Sequence, residues 1–127
     1  MDEYISELRS RQDKGSRLQL DILRALVVFG GSLWLSEVPS AIERLYLGRL
    51  PVLQLDMESV ERAVSSLAAK GLVKAEERIR ATEREGGERD RLIILADEKV
   101  RVSLTSDEVI NEYYLSLSSE LNTLRKS

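Results

Sequence analysis

The segment Arg17–Phe29 constrains the fold of this 127-residue chain more than any other segment. Its apolar residues recur at helical spacing in two stripes, one made of Leu18, Ile22, Ala25 and Phe29 and the other of Leu20, Leu23 and Val27. A helix that is apolar on two sides must be covered by neighbouring elements on both. The sequence therefore predicts a central, buried helix, which Gly30-Gly31 end because glycine adopts the left-handed conformation common after a helix.

Two shorter helices are predicted, one before and one after this central helix. Residues 2–13 form the first, which Lys14-Gly15-Ser16 is expected to break. Ser36 is predicted to cap the second, with Pro39 in its first turn, where the missing N–H does no harm. An apolar connector follows, and two readings stay open for it: its side chains either fill the core or form a docking patch. These side chains are Leu50, Val52, Leu53 and Leu55.

The segment 56–70 is predicted to form a further amphipathic helix. Asp56 is a good N-cap, because its carboxylate accepts hydrogen bonds from the free N–H groups of the first turn. Gly71 is expected to end the helix after Lys70. The buried face is predicted to consist of Val60, Ala63, Val64 and Leu67.

A β-hairpin is predicted directly after this helix. The first strand is expected from Leu72 to about Arg80 and the returning strand over Leu92–Leu95, with the polar, charged loop 82–91 between them. Leu33–Leu35 is predicted as a short extended piece. A third strand is expected further along, where apolar residues alternate at Val100, Val102 and Leu104.

The last helix is predicted from about residue 106 to 125. Thr105 and Glu108 match a capping box, with a hydroxyl at the cap and a carboxylate three residues later. The helix carries an apolar stripe made of Ile110, Tyr113, Tyr114, Leu117, Leu121 and Leu124. Such a stripe must cover something, either the core of the same chain or a second chain.

The stretch from Val60 to Leu95 resembles the recognition helix and wing of MarR- and PadR-like regulators. It reads VERAVSSLAAKGLVKAEERI, then a charged loop, then DRLIIL. The resemblance covers roughly residues 17–104 and implies an α+β, mostly α, winged helix-turn-helix fold: a three-helix core, a β-hairpin wing and a long C-terminal helix. It divides the chain into an N-terminal arm (1–16), a winged-helix domain (17–104, with recognition helix 56–70 and wing 72–95) and the C-terminal helix (105–127).

The resemblance implies binding to double-stranded DNA, whose major groove is about 12 Å wide and admits one helix. The outward positions of the recognition helix and the arginines of the wing would then face the duplex. The DNA-binding residues expected on this basis are Ser59, Arg62, Ser65, Ser66, Lys70, Arg78, Arg80, Arg84, Arg89 and Arg91. Arg62 is suited to read guanine or to clamp a phosphate.

A second interpretation of the wing stays open. The stretch Glu76–Arg91 holds five arginines and six acids, so the arginines can simply pair with acids across the hairpin. Strand alternation favours DNA contact, because Arg78 and Arg80 are expected on one face and Glu77 on the other.

The C-terminal helix is expected to form a homodimer, because in winged-helix regulators the equivalent helix commonly pairs with its copy. The expected dimer contacts are the six residues of its apolar stripe, with residues 2–13 as a possible addition. A dimer would place two recognition helices about 34 Å apart on a palindrome. The function expected is therefore that of a homodimeric transcriptional regulator.

Composition excludes most enzyme classes. The chain has no Cys and no His, so thiolate nucleophiles, imidazole bases and the commonest zinc sites are absent. It also has no phosphate-binding glycine motif and no calcium-loop spacing. We therefore expect no catalytic activity, no cofactor and no metal.

Net charge and hydropathy limit the kind of binding surface and the cellular location that we expect. The net charge is −3, so an anion-binding surface must be a local patch. The longest nearly apolar run, Ala25–Leu35, is far shorter than the roughly 20 residues that span a bilayer, and no signal-peptide core begins the chain, which predicts a cytoplasmic protein. Few Asn and Gln among many opposite charges favour a thermophilic, archaeal source.

The rival function is that of a winged-helix protein-interaction module in a larger nucleic-acid or cell-machinery complex. The negative net charge favours it, as do Glu58 and Glu61 on the supposed reading helix and the apolar connector. Dependence of binding on salt separates the two, since duplex binding weakens steeply as salt rises.

Overall fold

The computed structural model describes residues 2–11, 13–47, 55–81, 83 and 85–126, apart from the side chains of residues 2 and 121–126. Within this part the protein is α+β, with six α-helices and one antiparallel sheet. The helices are α1 (Asp2–Ser10), α2 (Lys14–Val28), α3 (Val38–Leu45), α4 (Met57–Ala69), α5 (Lys99–Ser103) and α6 (Glu108–Lys126). The strands are β1 (Ser32–Trp34), β2 (Val73–Arg80) and β3 (Glu88–Leu95), and a 3₁₀ turn over Leu35–Glu37 precedes α3.

The central helix is confirmed. Ile22, Leu23, Ala25 and Leu26 of α2 are fully buried, and α1, α3 and α4 all pack against α2. Its two apolar stripes are therefore covered from several sides, as the pattern requires. None of the helices in the described part of the chain combines the length and the apolar character that crossing a bilayer requires.

The predicted break at Lys14-Gly15-Ser16 is wrong, because α2 begins at Lys14. Asp13 caps the helix: its carboxylate accepts hydrogen bonds from the backbone N–H of Ser16 at 2.8 Å and from the Ser16 hydroxyl at 2.9 Å. The cap at Asp13 thus stabilises a first helical turn that contains Gly15. Helix α1 ends at Ser10, earlier than expected.

The predicted cap at Ser36 is also wrong. Ser36 lies in the 3₁₀ turn, and its hydroxyl donates to the carboxylate of Asp90 on β3 instead of capping α3. Pro39 does lie in the first turn of α3. Of the connector residues, Leu55 is half-buried against the core, whereas Leu50, Val52 and Leu53 lie outside the described residues.

The sheet has the strand order β1-β3-β2, and the predicted hairpin is confirmed as β2 and β3, but β3 begins at Glu88 and not at Leu92, because residues 88–91 of the predicted loop pair with β2. The third strand is not the predicted segment 100–104 but β1, which pairs with β3. Residues 99–103 form α5, with Val100 and Leu104 buried and Val102 74% exposed. Val100 and Leu104 are four positions apart. This spacing places them on one face of a helix as well as on one face of a strand.

The ends of α4 are confirmed and the start of α6 is corrected. Asp56 caps α4 by accepting the N–H of Ser59 at 2.7 Å, and Gly71 follows the helix with a positive φ of 75°. The cap of α6 is Asp107, which accepts the N–H of Ile110 at 3.1 Å. The Thr105 hydroxyl donates instead to a carbonyl of α5, so the predicted capping box does not form.

Asp107 is also the centre of a buried ion-pair network. Its side chain is 1% exposed, and Arg24 of α2 binds it with Nε 2.9 Å from Oδ1 and Nη2 3.0 Å from Oδ2. Arg9 of α1 adds a bond to Oδ2 at 3.1 Å. Burial raises the pKa of Asp107, but the bonds and charge of Arg24, with the Ile110 N–H, outweigh it and hold that pKa below its ordinary value.

The same network reaches the end of α3. Arg24 Nη1 donates to Asp21 Oδ1 at 3.0 Å, and the hydroxyl of Tyr46 donates to the same oxygen. Burial raises the pKa of Asp21, and the bonds from Tyr46 and Arg24 offset only part of that effect. Burial and the bond to Asp21 raise the pKa of Tyr46 to about 12. Four helices are thus joined through one set of polar groups, in which Asp21 and Asp107 are buried and Arg9 lies partly at the surface.

We expect Asp107→Asn to cost about 3 kcal/mol of folding free energy, because it removes the charge that pairs with Nε and Nη2 of the buried Arg24 guanidinium and leaves this guanidinium with only its bond to Asp21 among the described acids, while keeping a good cap. Urea unfolding followed by circular dichroism measures this. Asp56→Asn is the matched control: it changes an exposed cap in the same way and should cost much less folding free energy than Asp107→Asn. Equal costs would contradict the importance of the ion pair.

Alkaline pH should weaken the folded state through Tyr46. Because the folded protein holds the Tyr46 proton up to about pH 12 and the unfolded chain releases it near pH 10.0, the contribution is complete below pH 10 and is lost between pH 10 and 12. Urea unfolding should show a steeper loss of stability over this range in the wild type than in Tyr46→Phe. Parallel curves for the two proteins would contradict the assignment.

Candidate nucleic-acid interface

Helix α4 buries one face and exposes the other. Val60, Ala63, Val64 and Leu67 are buried as predicted. The opposite face exposes Glu58, Glu61, Arg62, Ser65, Ser66 and Lys70, whereas Ser59 is half-buried. The C-terminal helix α6 packs on α2 and α3, so this face of α4 stays open to solvent.

The cations of α4 are only weakly engaged. Arg62 is 73% exposed, and its Nη2 lies 3.5 Å from the equally exposed Glu58. An exposed pair one helical turn apart contributes little, so the guanidinium can exchange this partner for another at small cost. Lys70 at the end of the helix lies with its ammonium 5.3 Å from the ring centre of Tyr4.

The register of the hairpin sorts its side chains onto two faces. On the outer face, Arg78 lies opposite Asp90 and Arg80 opposite Glu88. On the core-side face, Ile79 lies opposite Arg89, and Glu77 opposite Arg91. Arg78 and Arg80 therefore share a face that excludes Glu77, as predicted, but that face carries acids of its own.

The outer-face arginines are neutralised within the chain. Arg78 forms an ion pair with Glu76. Arg80 pairs with Glu37 of the 3₁₀ turn, lies 3.7 Å from a carboxylate oxygen of Asp90 and stacks 5.7 Å from the ring centre of Trp34. For these two arginines the geometry matches the second interpretation of the sequence, in which wing cations pair with nearby acids.

The core-side face keeps its positive charge. Arg89 and Arg91 are exposed, and neither forms an ion pair with another residue that the structure describes. Ile79 beside them is 71% exposed. Arg84, also predicted to bind DNA, lies outside the described residues. Two of the five predicted wing arginines thus remain available on one surface.

Sequence reasoning missed the contribution of α2 to this region. The first turns of α2 and the first half of α4 enclose a groove of about 640 Å³. Lys14 and Arg17 line it from α2, facing Ser59, Arg62 and Ser66 of α4. Two cations three residues apart at the start of a helix were the available signal, but the sequence does not show that this turn lies beside α4.

The predicted dimer residues are divided between the core and the surface. Ile110 is buried, and the ring of Tyr113 packs edge-on against Phe29 at 5.7 Å, so the first turns of α6 fold back on their own chain. Tyr114 and the unpredicted Leu115 are exposed, and Leu117 is half-buried. The side chains of Leu121 and Leu124 lie outside the described part.

The N-terminal helix is folded onto its own chain. Ile5 and Leu8 of α1 are almost fully buried in the core, and α1 packs against α2 and α5. These two side chains are therefore not available to a second chain.

The described residues offer neither a metal site nor an open reactive group. No cluster of three acidic side chains suited to a metal ion is found there. The buried group of Asp21, Arg24, Tyr46 and Asp107 is saturated by its own hydrogen bonds, and no buried side-chain polar atom in the described part lacks a partner. Neither arrangement offers an open reactive group.

Comparisons with known proteins add no family to this geometry. No family model, no curated protein and no solved structure matches the chain. The observations that bear on its function are therefore the geometry and charge of α4, the hairpin and the groove.

Proposed function

We propose that this chain is a winged-helix protein that binds double-stranded DNA and acts as a homodimeric transcriptional regulator. The observation that carries the proposal is the open face of α4 with Arg62, followed along the chain by a hairpin whose Arg89 and Arg91 form no ion pair with any residue that the structure describes. In this interpretation α2, α3 and α4 are the three-helix core, α4 is the recognition helix, and β2 and β3 are the wing.

The α4 face suits the major groove sterically. Ser65, Ser66 and Ala69 are small and exposed, so the helix backbone can approach base edges closely. Arg62 has the length and the bidentate donors to bind guanine O6 and N7 or to clamp a phosphate. Its weak pairing with Glu58 would be exchanged for the duplex on binding.

The hairpin arginines divide into two roles. Arg89 and Arg91 are assigned to the DNA backbone, because neither is neutralised by an acid in the described part of the chain. Arg80 is assigned to positioning, since its ion pair with Glu37 fixes the hairpin against the 3₁₀ turn, whereas Arg78 pairs with Glu76 of its own strand and is assigned no DNA contact. Of the described wing arginines that the sequence predicted to bind DNA, the proposal therefore keeps Arg89 and Arg91.

The exposed part of α6 supports the homodimer in this proposal. Tyr114 and Leu115 are exposed on a helix whose first turns already pack on the core. A second copy covering this surface would bring two α4 helices onto one duplex, about one helical turn apart.

The second candidate function is a winged-helix protein-interaction module. The neutralisation of Arg78 and Arg80 favours it, as does the presence of Glu58 and Glu61 on the open face of α4. Under this alternative the same surface binds a protein, and salt affects the affinity only modestly.

Fluorescence anisotropy with mixed duplex DNA at several salt concentrations tests the proposal. We expect log affinity to fall with log salt at a slope near −0.9 for each phosphate contact. Arg62→Ala should cost about 1–3 kcal/mol and relax sequence preference, whereas Arg89→Gln with Arg91→Gln should weaken all duplexes alike and flatten the slope.

The matched control for the hairpin is Arg78→Gln, which removes a charge already paired with Glu76 and should leave the slope unchanged. Absence of duplex binding at low salt would overturn DNA binding and favour the interaction module. Equal effects of all hairpin variants would contradict the division of roles.

Leu115→Glu should shift the chain from dimer to monomer, because Leu115 is 67% exposed and a charge there opposes burial in an interface without disturbing the core. Light scattering with size-exclusion chromatography measures the mass. Val102→Glu is the control, since it places the same charge at an equally exposed apolar residue of α5. A wild-type monomer, or a dimer that survives Leu115→Glu, would contradict this interface.

A further inference from the structure

We propose that the groove between α2 and α4 binds a small anionic amphiphile, a carboxylate attached to an alkyl chain. The groove lies between the first turns of α2 and the first half of α4, with α3 contributing to its floor. Its volume of about 640 Å³ lies within the roughly 300–1,000 Å³ of typical small-molecule sites.

The floor of the groove is apolar. Leu18 of α2, Ile42 of α3 and Ala63 of α4 line it and are nearly buried, and half-buried Leu55 closes it beside the start of α4. Surface of this kind gains free energy when an alkyl chain displaces water from it, at about 25 cal/mol for each Å² removed from solvent. The floor therefore selects a ligand with an apolar body.

The rim of the groove is cationic. Lys14 is exposed and forms no ion pair with another described residue. Arg62 forms an exposed ion pair with Glu58, and Arg17 lies with its guanidinium 5.9 Å from the ring centre of Tyr46. Three positive groups from two helices thus surround one opening in a chain whose net charge is −3.

The two acids that line the groove do not cancel this charge pattern. Asp56 accepts the N–H of Ser59 at the start of α4, and Asp21 is bound by Arg24 and Tyr46. Both carboxylates already accept hydrogen bonds from these donors, and among the described residues neither forms an ion pair with Lys14, Arg17 or Arg62, although Arg17 attracts Asp21 and Arg62 attracts Asp56 at longer range. An anionic headgroup therefore has donors available at the rim.

Cations above an apolar floor favour an amphiphile over a free inorganic anion. A phosphate ion would use the rim and leave the apolar floor in water, and a neutral lipid would use the floor and leave the cations without a counter-charge. A carboxylate with an alkyl chain satisfies both. Binding would also close the α4 face, because Ser59, Arg62 and Ser66 line the groove and belong to the proposed DNA surface; this consequence rests on the proposed function.

The test uses octanoate as the probe and amide NMR shifts of the full chain as the readout. We expect octanoate to shift the amides of residues 14–19 and 59–66, acetate to bind far more weakly, and octanol to bind more weakly than octanoate. Lys14→Gln combined with Arg62→Gln should weaken octanoate binding up to about a hundredfold, since each hydrogen bond to a charged group contributes about one decade of affinity.

Lys74→Gln is the control, because Lys74 is an exposed cation of β2 outside the groove. An absence of groove shifts with octanoate, or equal binding of octanol and octanoate, would overturn the proposal. Inorganic phosphate displacing octanoate completely, with no effect of chain length, would also overturn it and identify a simple anion site. Octanoate binding without competition against duplex DNA would keep the site and contradict only its coupling to the proposed function.

Discussion

The ion pair between Arg24 and Asp107 is the interaction on which the arrangement of the helices depends. Taking two charges out of water costs several kcal/mol unless their geometry and remaining hydrogen bonds are nearly complete. Here the Asp107 carboxylate accepts hydrogen bonds from Arg24, from Arg9 and from the first-turn N–H of α6. Arg24 also donates a hydrogen bond to Asp21. Because few alternative arrangements would satisfy all of these groups, α1, α2 and α6 are held in one relative position.

That position leaves the proposed functional surface open. The network draws the start of α6 onto α2 and α3, and α1 packs against α2 and α5. None of these contacts requires the outer face of α4, whose burial is confined to the side that carries Val60 and Leu67. The terminal helices thus complete the core without covering the face assigned to a ligand.

Local patterns in the sequence predicted the elements that depend on local physics. The central helix, the two ends of α4 at Asp56 and Gly71, and the β2–β3 hairpin follow from hydrophobic spacing, capping and turn residues. Features set by distant residues were not predicted. Arg24 and Asp107 are 83 positions apart, and Ser36 reaches Asp90 across 54 positions. The spacing of Val100 and Leu104 fits both a strand and a helix, so only packing decides between them.

The candidate surface was predicted in part for the same reason. The exposed side of α4 follows from periodicity, but the partners of the hairpin arginines depend on register and on the 3₁₀ turn. The contacts of Arg80 with Glu37 and Trp34 depend on the pairing of β1 with β3, which the sequence does not show. The groove beside Lys14 and Arg17 likewise depends on two helices that are distant in sequence.

The attachment of Arg80 to the 3₁₀ turn has a thermodynamic consequence for any partner of the hairpin. A free β-hairpin would lose considerable conformational entropy when it docked, and that loss would be subtracted from the affinity. Arg80 of β2 forms an ion pair with Glu37, and Asp90 of β3 accepts a hydrogen bond from the Ser36 hydroxyl. Both strands are therefore bound to the 3₁₀ turn that leads into α3. The hairpin is therefore preorganised, and its orientation is linked to that of α3 before any partner arrives.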